Sequence, residues 1–143
     1  MKTMRKLFTV LLALAMTLAL AVPAFAADTT GSITITNPQG DRTYTAYKIF
    51  DVTYSGKNYS YTISGTDAAF NTVKAYADEA ANGLKLTAVA NTNKYNVSID
   101  AAAFSAASFA QYLKTNVGSL GTGTAFTKDG DTMKASGLTP GYY

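Results

Sequence analysis

Residues 43–53 read Thr-Tyr-Thr-Ala-Tyr-Lys-Ile-Phe-Asp-Val-Thr (TYTAYKIFDVT), and this stretch decides the fold class. It is rich in β-branched and aromatic residues, the composition of a strand. Side chains alternate across a strand, so Tyr44, Ala46, Lys48, Phe50 and Val52 share one face, while Thr43, Thr45, Tyr47, Ile49, Asp51 and Thr53 share the other. If the first face is the core, Lys48 is its one charged member. Ser55-Gly56-Lys57-Asn58 reads as a hairpin turn, and residues 59–63 (YSYTI) return as the next strand. Upstream, residues 32–36 (SITIT) alternate strictly, with Ile33 and Ile35 inward. Asn37-Pro38-Gln39-Gly40-Asp41 is a turn by composition.

Beyond residue 63 the pattern changes. Thr66 or Asp67 caps a helix through AAFNTVKAYADEAA that stops at Asn82-Gly83, with Phe70, Val73, Ala77 and Ala80 on one stripe. Residues 84–89 and 94–99 read as two strands around the turn ANTN. Asp100 then caps a second helix, AAAFSAASFAQYLKTNV, whose buried side takes Phe104, Ala107 or Ser108, Tyr112 and Leu113, and which Gly118 ends. The remainder returns to β: residues 122–127, a Lys-Asp-Gly-Asp turn, residues 132–135, and SGLTPGYY at 136–143. The final GYY follows a turn where a strand should begin. The expectation is therefore a domain that continues past residue 143 and whose own sheet exposes an edge.

The N-terminus reads as an export signal. Lys2, Arg5 and Lys6 precede the uncharged run LFTVLLALAMTLAL at residues 7–20, then Pro23 and Ala24-Phe25-Ala26. Small residues Ala24 and Ala26 occupy the −3 and −1 positions that signal peptidase recognises. Residues 1–26 are thus expected to be removed and residues 27–143 to form the working domain. A membrane span would need ~20 apolar residues. Three of the 12 basic residues lie in this signal and all nine acids lie at Asp28 or later, so the rest of the chain is formally neutral. The whole-chain pI near 9.0 then belongs to the signal. The remaining lysines are scattered singly, which argues against a nucleic-acid partner.

The chain has no Cys and no His. That removes thiol nucleophiles, zinc-thiolate sites, disulfides, the usual general base and the commonest transition-metal ligand. The nearest carboxylate pairs are Asp78-Glu79 in a helical stretch and Asp129/Asp131 in a turn. Adjacent helical residues point apart, and Asp in a DG turn sets backbone conformation. No catalytic residue, metal site or cofactor is expected. A secreted domain without disulfides needs a larger core or another covalent crosslink. The ten tyrosines suit half-buried sheet positions, and a carbohydrate-stacking platform is the alternative use of such rings.

GSITIT, the turn after it, TYTAYKIFDVTYSG and the closing SGLTPGYY resemble the N-terminal domain of Gram-positive isopeptide-forming fimbrial proteins, the sortase-assembled pilus backbone subunits and related surface adhesins. The resemblance covers residues 31–143. It implies a mainly β domain with helical insertions, specifically an immunoglobulin-like β-sandwich of the collagen-adhesin B type, incomplete at its C-terminus. It also implies display on the cell wall or in a pilus, with a sortase and other pilin subunits as partners. In such domains a strand Lys joins an Asn in an isopeptide bond promoted by a nearby acid, which requires a desolvated amine. Lys48, if inward, is the candidate. The family more often places this Lys at the end of the first strand, where this chain has Asn37. The pilin lysine motif and the C-terminal sorting signal are not among these residues. The opposing reading of Lys48 is a lysine that snorkels from the sheet edge to water. Two other functions remain open: a secreted glycan- or matrix-binding module, and an accessory domain of a secreted hydrolase.

Overall fold

A computed structural model describes residues 30–55 and 58–143. The expected signal peptide, with Ala24 and Ala26, and the Gly56-Lys57 turn lie outside the described residues. The rest is mainly β, with antiparallel sheets and two helices.

The largest sheet is built from local hairpins. β1 (Gly31–Ile35) and β2 (Thr45–Ala46) precede it. β3 (Phe50–Ser55) pairs with β4 (Asn58–Ser64), as the hairpin reading expects. β5 (Leu84–Ala88) and β6 (Lys94–Ile99) form a second hairpin, and β6 docks on β4 with Tyr61 opposite Val97 and Ile63 opposite Tyr95. The polar turn between β5 and β6 carries Asn91 at φ 58°, a left-handed conformation that Asn tolerates. Further on come β7 (Thr124–Ala125), β8 (Thr127–Asp129), β9 (Thr132–Leu138) and β10 (Gly141–Tyr142). β8 and β9 turn through a two-residue loop whose leading Gly130 sits at φ 60°, as tight hairpins favour.

The resulting orders are β10-β3-β4-β6-β5, β1-β9-β8 and the short pair β2-β7. The first and last described strands are thus drawn in by non-local pairing, β1 to β9 and β10 to β3.

Two helices cover one face of the five-stranded sheet. α1 (Phe70–Asp78) buries Phe70, Val73 and Tyr76, and α2 (Ala106–Thr115) buries Phe109 and Leu113. With Ile49, Phe50, Ile63, Leu84 and Leu120 these residues form the main core. At its centre Phe109 is 0% exposed. Its ring stacks on Phe50 at 6.0 Å and meets Tyr76, Phe104 and Tyr142 at 5.0, 5.9 and 6.4 Å.

Both helices are shorter than their sequence patterns suggest. The Asp67 carboxylate accepts the Ser64 N–H at 2.8 Å and so fixes a turn ahead of α1 instead of capping the helix. Asp100 likewise accepts the Ala102 N–H at 3.0 Å in a separate turn. The actual cap of α2 is Ser105, whose hydroxyl accepts the Ser108 N–H at 3.2 Å. Phe104 therefore lies ahead of the helix, and the buried stripe runs through Phe109 and Leu113. Ala107 and Ser108, expected to be buried, are exposed, and Phe109 takes the core. In α1, Tyr76 replaces the expected Ala80, which is also exposed.

The stretch that signalled the fold is itself interrupted. Residues 47–49 are not strand, and both Ile49 and Phe50 are buried. A two-residue period cannot bury neighbours, so the alternation slips here. The slip carries Lys48 out of the face assigned to it. Lys48 is exposed rather than inward, which spares the cost of an unpaired buried ammonium.

Candidate functional site

Lys48 sits where β10 closes the sheet on β3. The Ile49 N–H donates to the Tyr142 carbonyl at 2.8 Å, with Phe50 opposite Tyr142 and Asp51 opposite Gly141. Gly141 lets the lysine stem cross this ladder. A Cβ on it would stand 2.5 Å from the Phe50 carbonyl and 2.9 Å from Lys48 Cδ. The stem therefore lies over the glycine and carries the amine past the strand.

Lys48 Nζ donates to Asp51 Oδ1 at 2.6 Å and to Thr139 Oγ1 at 3.0 Å. In a continuous strand, residues three apart face opposite sides, so the pair depends on the break at 47–49. The two side chains are 36% and 44% exposed. The tyrosine at 143 braces the same corner, its hydroxyl donating to the Thr139 carbonyl at 2.9 Å.

Chemically this is an amine held by a carboxylate and a hydroxyl at a solvent-facing strand junction. Among the described residues its polar partners are Asp51 and Thr139, and no Asn amide is one of them. The arrangement is a clamp between β3 and the 139–142 segment. Asn37, at the position the family more often gives to its crosslinking lysine, is exposed just past β1.

The carboxylate pairs singled out in the sequence lie at the end of α1 and in the β8–β9 hairpin. Asp78 accepts from Lys74 at 2.6 Å one helical turn away, and Glu79 ends the helix with φ −82° and ψ 96°. The Asp129 carbonyl accepts the Thr132 hydroxyl at 2.7 Å within the β8–β9 hairpin. Among the described residues no group of three or more metal-ligating side chains converges, and no helix is long and apolar enough to cross a membrane.

Two apolar hollows adjoin the β3–β10 junction, each lined in part by Tyr142. One, of about 440 Å³, lies between β1, the 44–49 segment and the C-terminal part of α2, and includes Ile33, Ile35, Tyr44 and Leu113. The other, of about 380 Å³, runs across the sheet face beyond the helices and includes Tyr59, Tyr61, Ile99 and Phe104. Tyr59 and Ile99 are 69% and 55% exposed there, and the rings of Tyr59 and Tyr61 meet edge-on at 5.9 Å.

The sequence singled out Lys48 but not its partners. A Lys-Ile-Phe-Asp spacing carries no ion-pair signal on a strand, and Thr139 is 91 positions away. Comparison with protein-family models gives no match, and no curated protein or solved structure matches the chain.

Proposed function

We propose that the chain is the N-terminal region of a structural subunit of a Gram-positive surface pilus or cell-wall adhesin. The observation that carries this reading is the junction of β3 with β10. The two segments on which the resemblance rests, TYTAYKIFDV and LTPGYY, meet strand to strand and are clamped by Lys48, Asp51 and Thr139. A shaft or adhesin domain needs its distant segments tied together without disulfides, and the chain has no Cys. In this reading the five- and three-stranded sheets are the halves of an immunoglobulin-like sandwich, with the helices inserted between strands. The subunit is exported by residues 1–26, joined to others by a sortase and displayed at the cell surface.

The test is made on cells that express the whole protein. An antibody to residues 31–143 should detect a ladder of high-mass species that survives boiling in detergent and vanishes when the sortase is deleted. A single unanchored species in the medium, unaffected by that deletion, overturns the reading. Lys48 is tested by the intact mass of the purified chain. An isopeptide with Asn loses one ammonia, and an unshifted mass assigns Lys48 to the ion-paired clamp alone.

A second reading, a glycan-binding module, has the exposed Tyr59 and its Tyr61 neighbour in its favour, since such rings stack on sugar faces. A glycan array separates the two. Binding that is lost in Tyr59→Ala supports the module, and no binding removes it.

A further inference from the structure

Sheets expose edges, and proteins blunt them with charge, proline, brevity or a bulge. Among the described residues four edges bound the two larger sheets: β5, β8, β10 and β1. β5 carries Lys85. β8 is three residues long and carries Lys128 and Asp129. β10 has two residues and follows Pro140. β1 has none of these defences. It is five residues, Gly-Ser-Ile-Thr-Ile, without charge or proline, and among the described residues it pairs on one side only, with β9. The irregularity in that ladder falls between Gly31 and Ser32. There Gly31 opposes Leu138 and Ser32 opposes Ser136, so the extra residue is Gly137 of β9, at φ 73°. The outer edge of β1 is left regular.

We propose that β1 is a self-association edge, at which a second copy of this chain adds its own β1 antiparallel to the first. The argument is the pattern of side chains that such a pairing brings together. Centred on Ile33, a two-fold pair sets Ile33 against Ile33 of the other copy, and Ser32 against Thr34 in both directions. β-branched pairs and Ser/Thr pairs are favourable cross-strand neighbours, while like charges directly opposite are not. An uncharged strand meets its own copy without any like-charge contact in any register. Two-fold pairing is also self-limiting, since it uses up the edge of both copies. Ser32 and Thr34 are exposed, and Ile33 and Ile35 are half-buried beside the 440 Å³ hollow. The joined strands would make one six-stranded sheet, ordered β8-β9-β1-β1-β9-β8. This inference does not depend on the pilus reading.

The experiment is sedimentation velocity on the purified chain across a concentration series, with two double variants on exposed positions. Ser32→Lys with Thr34→Lys puts Lys opposite Lys twice in the centred register. Ser32→Glu with Thr34→Lys puts Glu opposite Lys twice. The wild type should show a concentration-dependent dimer, the Lys/Lys variant should weaken it by about tenfold or more, and the Glu/Lys variant should recover it. Far-UV circular dichroism on each variant establishes that it is folded. Both variants share the Thr34→Lys change, so a dimer of the Glu/Lys variant excludes misfolding by that change as the cause of the Lys/Lys loss. A wild type that stays monomeric throughout overturns the proposal. So does a Lys/Lys variant that dimerises as well as wild type, or a Glu/Lys variant that dimerises no better than Lys/Lys.

Discussion

Phe109 and Lys48 mark the two extremes of how single residues act in this chain. Phe109 meets four other rings with no exposed surface. Phe109→Ala removes the ring and leaves a cavity that α2 and the sheet can only partly close, at a cost of ~3–5 kcal/mol. That is a large share of the ~5–15 kcal/mol that holds a typical domain folded. In urea unfolding the midpoint should fall sharply, and Phe109→Leu should fall by much less. Lys48 stands at the other end. Its ion pair is more than a third exposed on both sides, so screening leaves it below about 1 kcal/mol. Lys48→Met, which keeps the stem over Gly141, should lower the melting temperature only slightly, and the difference from wild type should shrink in ~1 M salt. A large, salt-independent loss would mean that the residue does more than clamp. The sequence led to Lys48 and passed over Phe109 for one reason each. Lysine among apolar neighbours is conspicuous in any strand pattern. Phe109 is missed when the stripe is drawn through Phe104, which lies ahead of α2, although it stands three and four residues before Tyr112 and Leu113 and so shares their face.

At the scale of elements, local signals were legible and long-range ones were not. Both hairpins of the five-stranded sheet follow from alternation and turn residues, and both helices lie within the predicted stretches. Their starts moved because Asp67 and Asp100 commit their carboxylates to turns ahead of the helices. The split at residues 47–49 had no local warning, since every residue of TYTAYKIFDVT fits a strand pattern. What breaks the period is tertiary: Ile49 and Phe50 are both claimed by the core. The β3–β10 junction is the element most sensitive to a small change. Gly141→Val places a branched side chain where the Phe50 carbonyl and the Lys48 stem already stand. The expected result is loss of the β10 pairing with the hairpins intact. It should appear as faster proteolysis after residue 138 and deprotection of the Ile49 amide, which donates to Tyr142, while the β4 and β6 amides stay protected.

For the whole molecule, mainly β with two helices was legible from composition and periodicity, while the partition into sheets was not. Strand order depends on pairings such as Gly31 with Leu138 that no window of sequence contains. The partition predicts uneven stability. The main core joins the five-stranded sheet to both helices, whereas Ala135 and Leu138 of β9 are buried outside that cluster. Native-state hydrogen exchange should therefore find the slowest amides in β3, β4 and β6, with β8 and β9 opening at lower free energy. Equal protection throughout would show a single cooperative unit. The β3–β10 pairing also sets an order of events in time. A chain made from its N-terminus presents β3, β4, β5 and β6 early, and these close by short loops. The partner of β3 on its other side arrives some ninety residues later, after a loop closure whose entropy cost grows with length. Until then β3 is an open edge in a nascent protein, and the ring of Tyr142 is missing from the side of Phe50 and Phe109 that it later covers. The 139–142 segment is therefore the one that covers the open side of β3, and a chain cut short of it would have its hairpins formed and its core still open on one side.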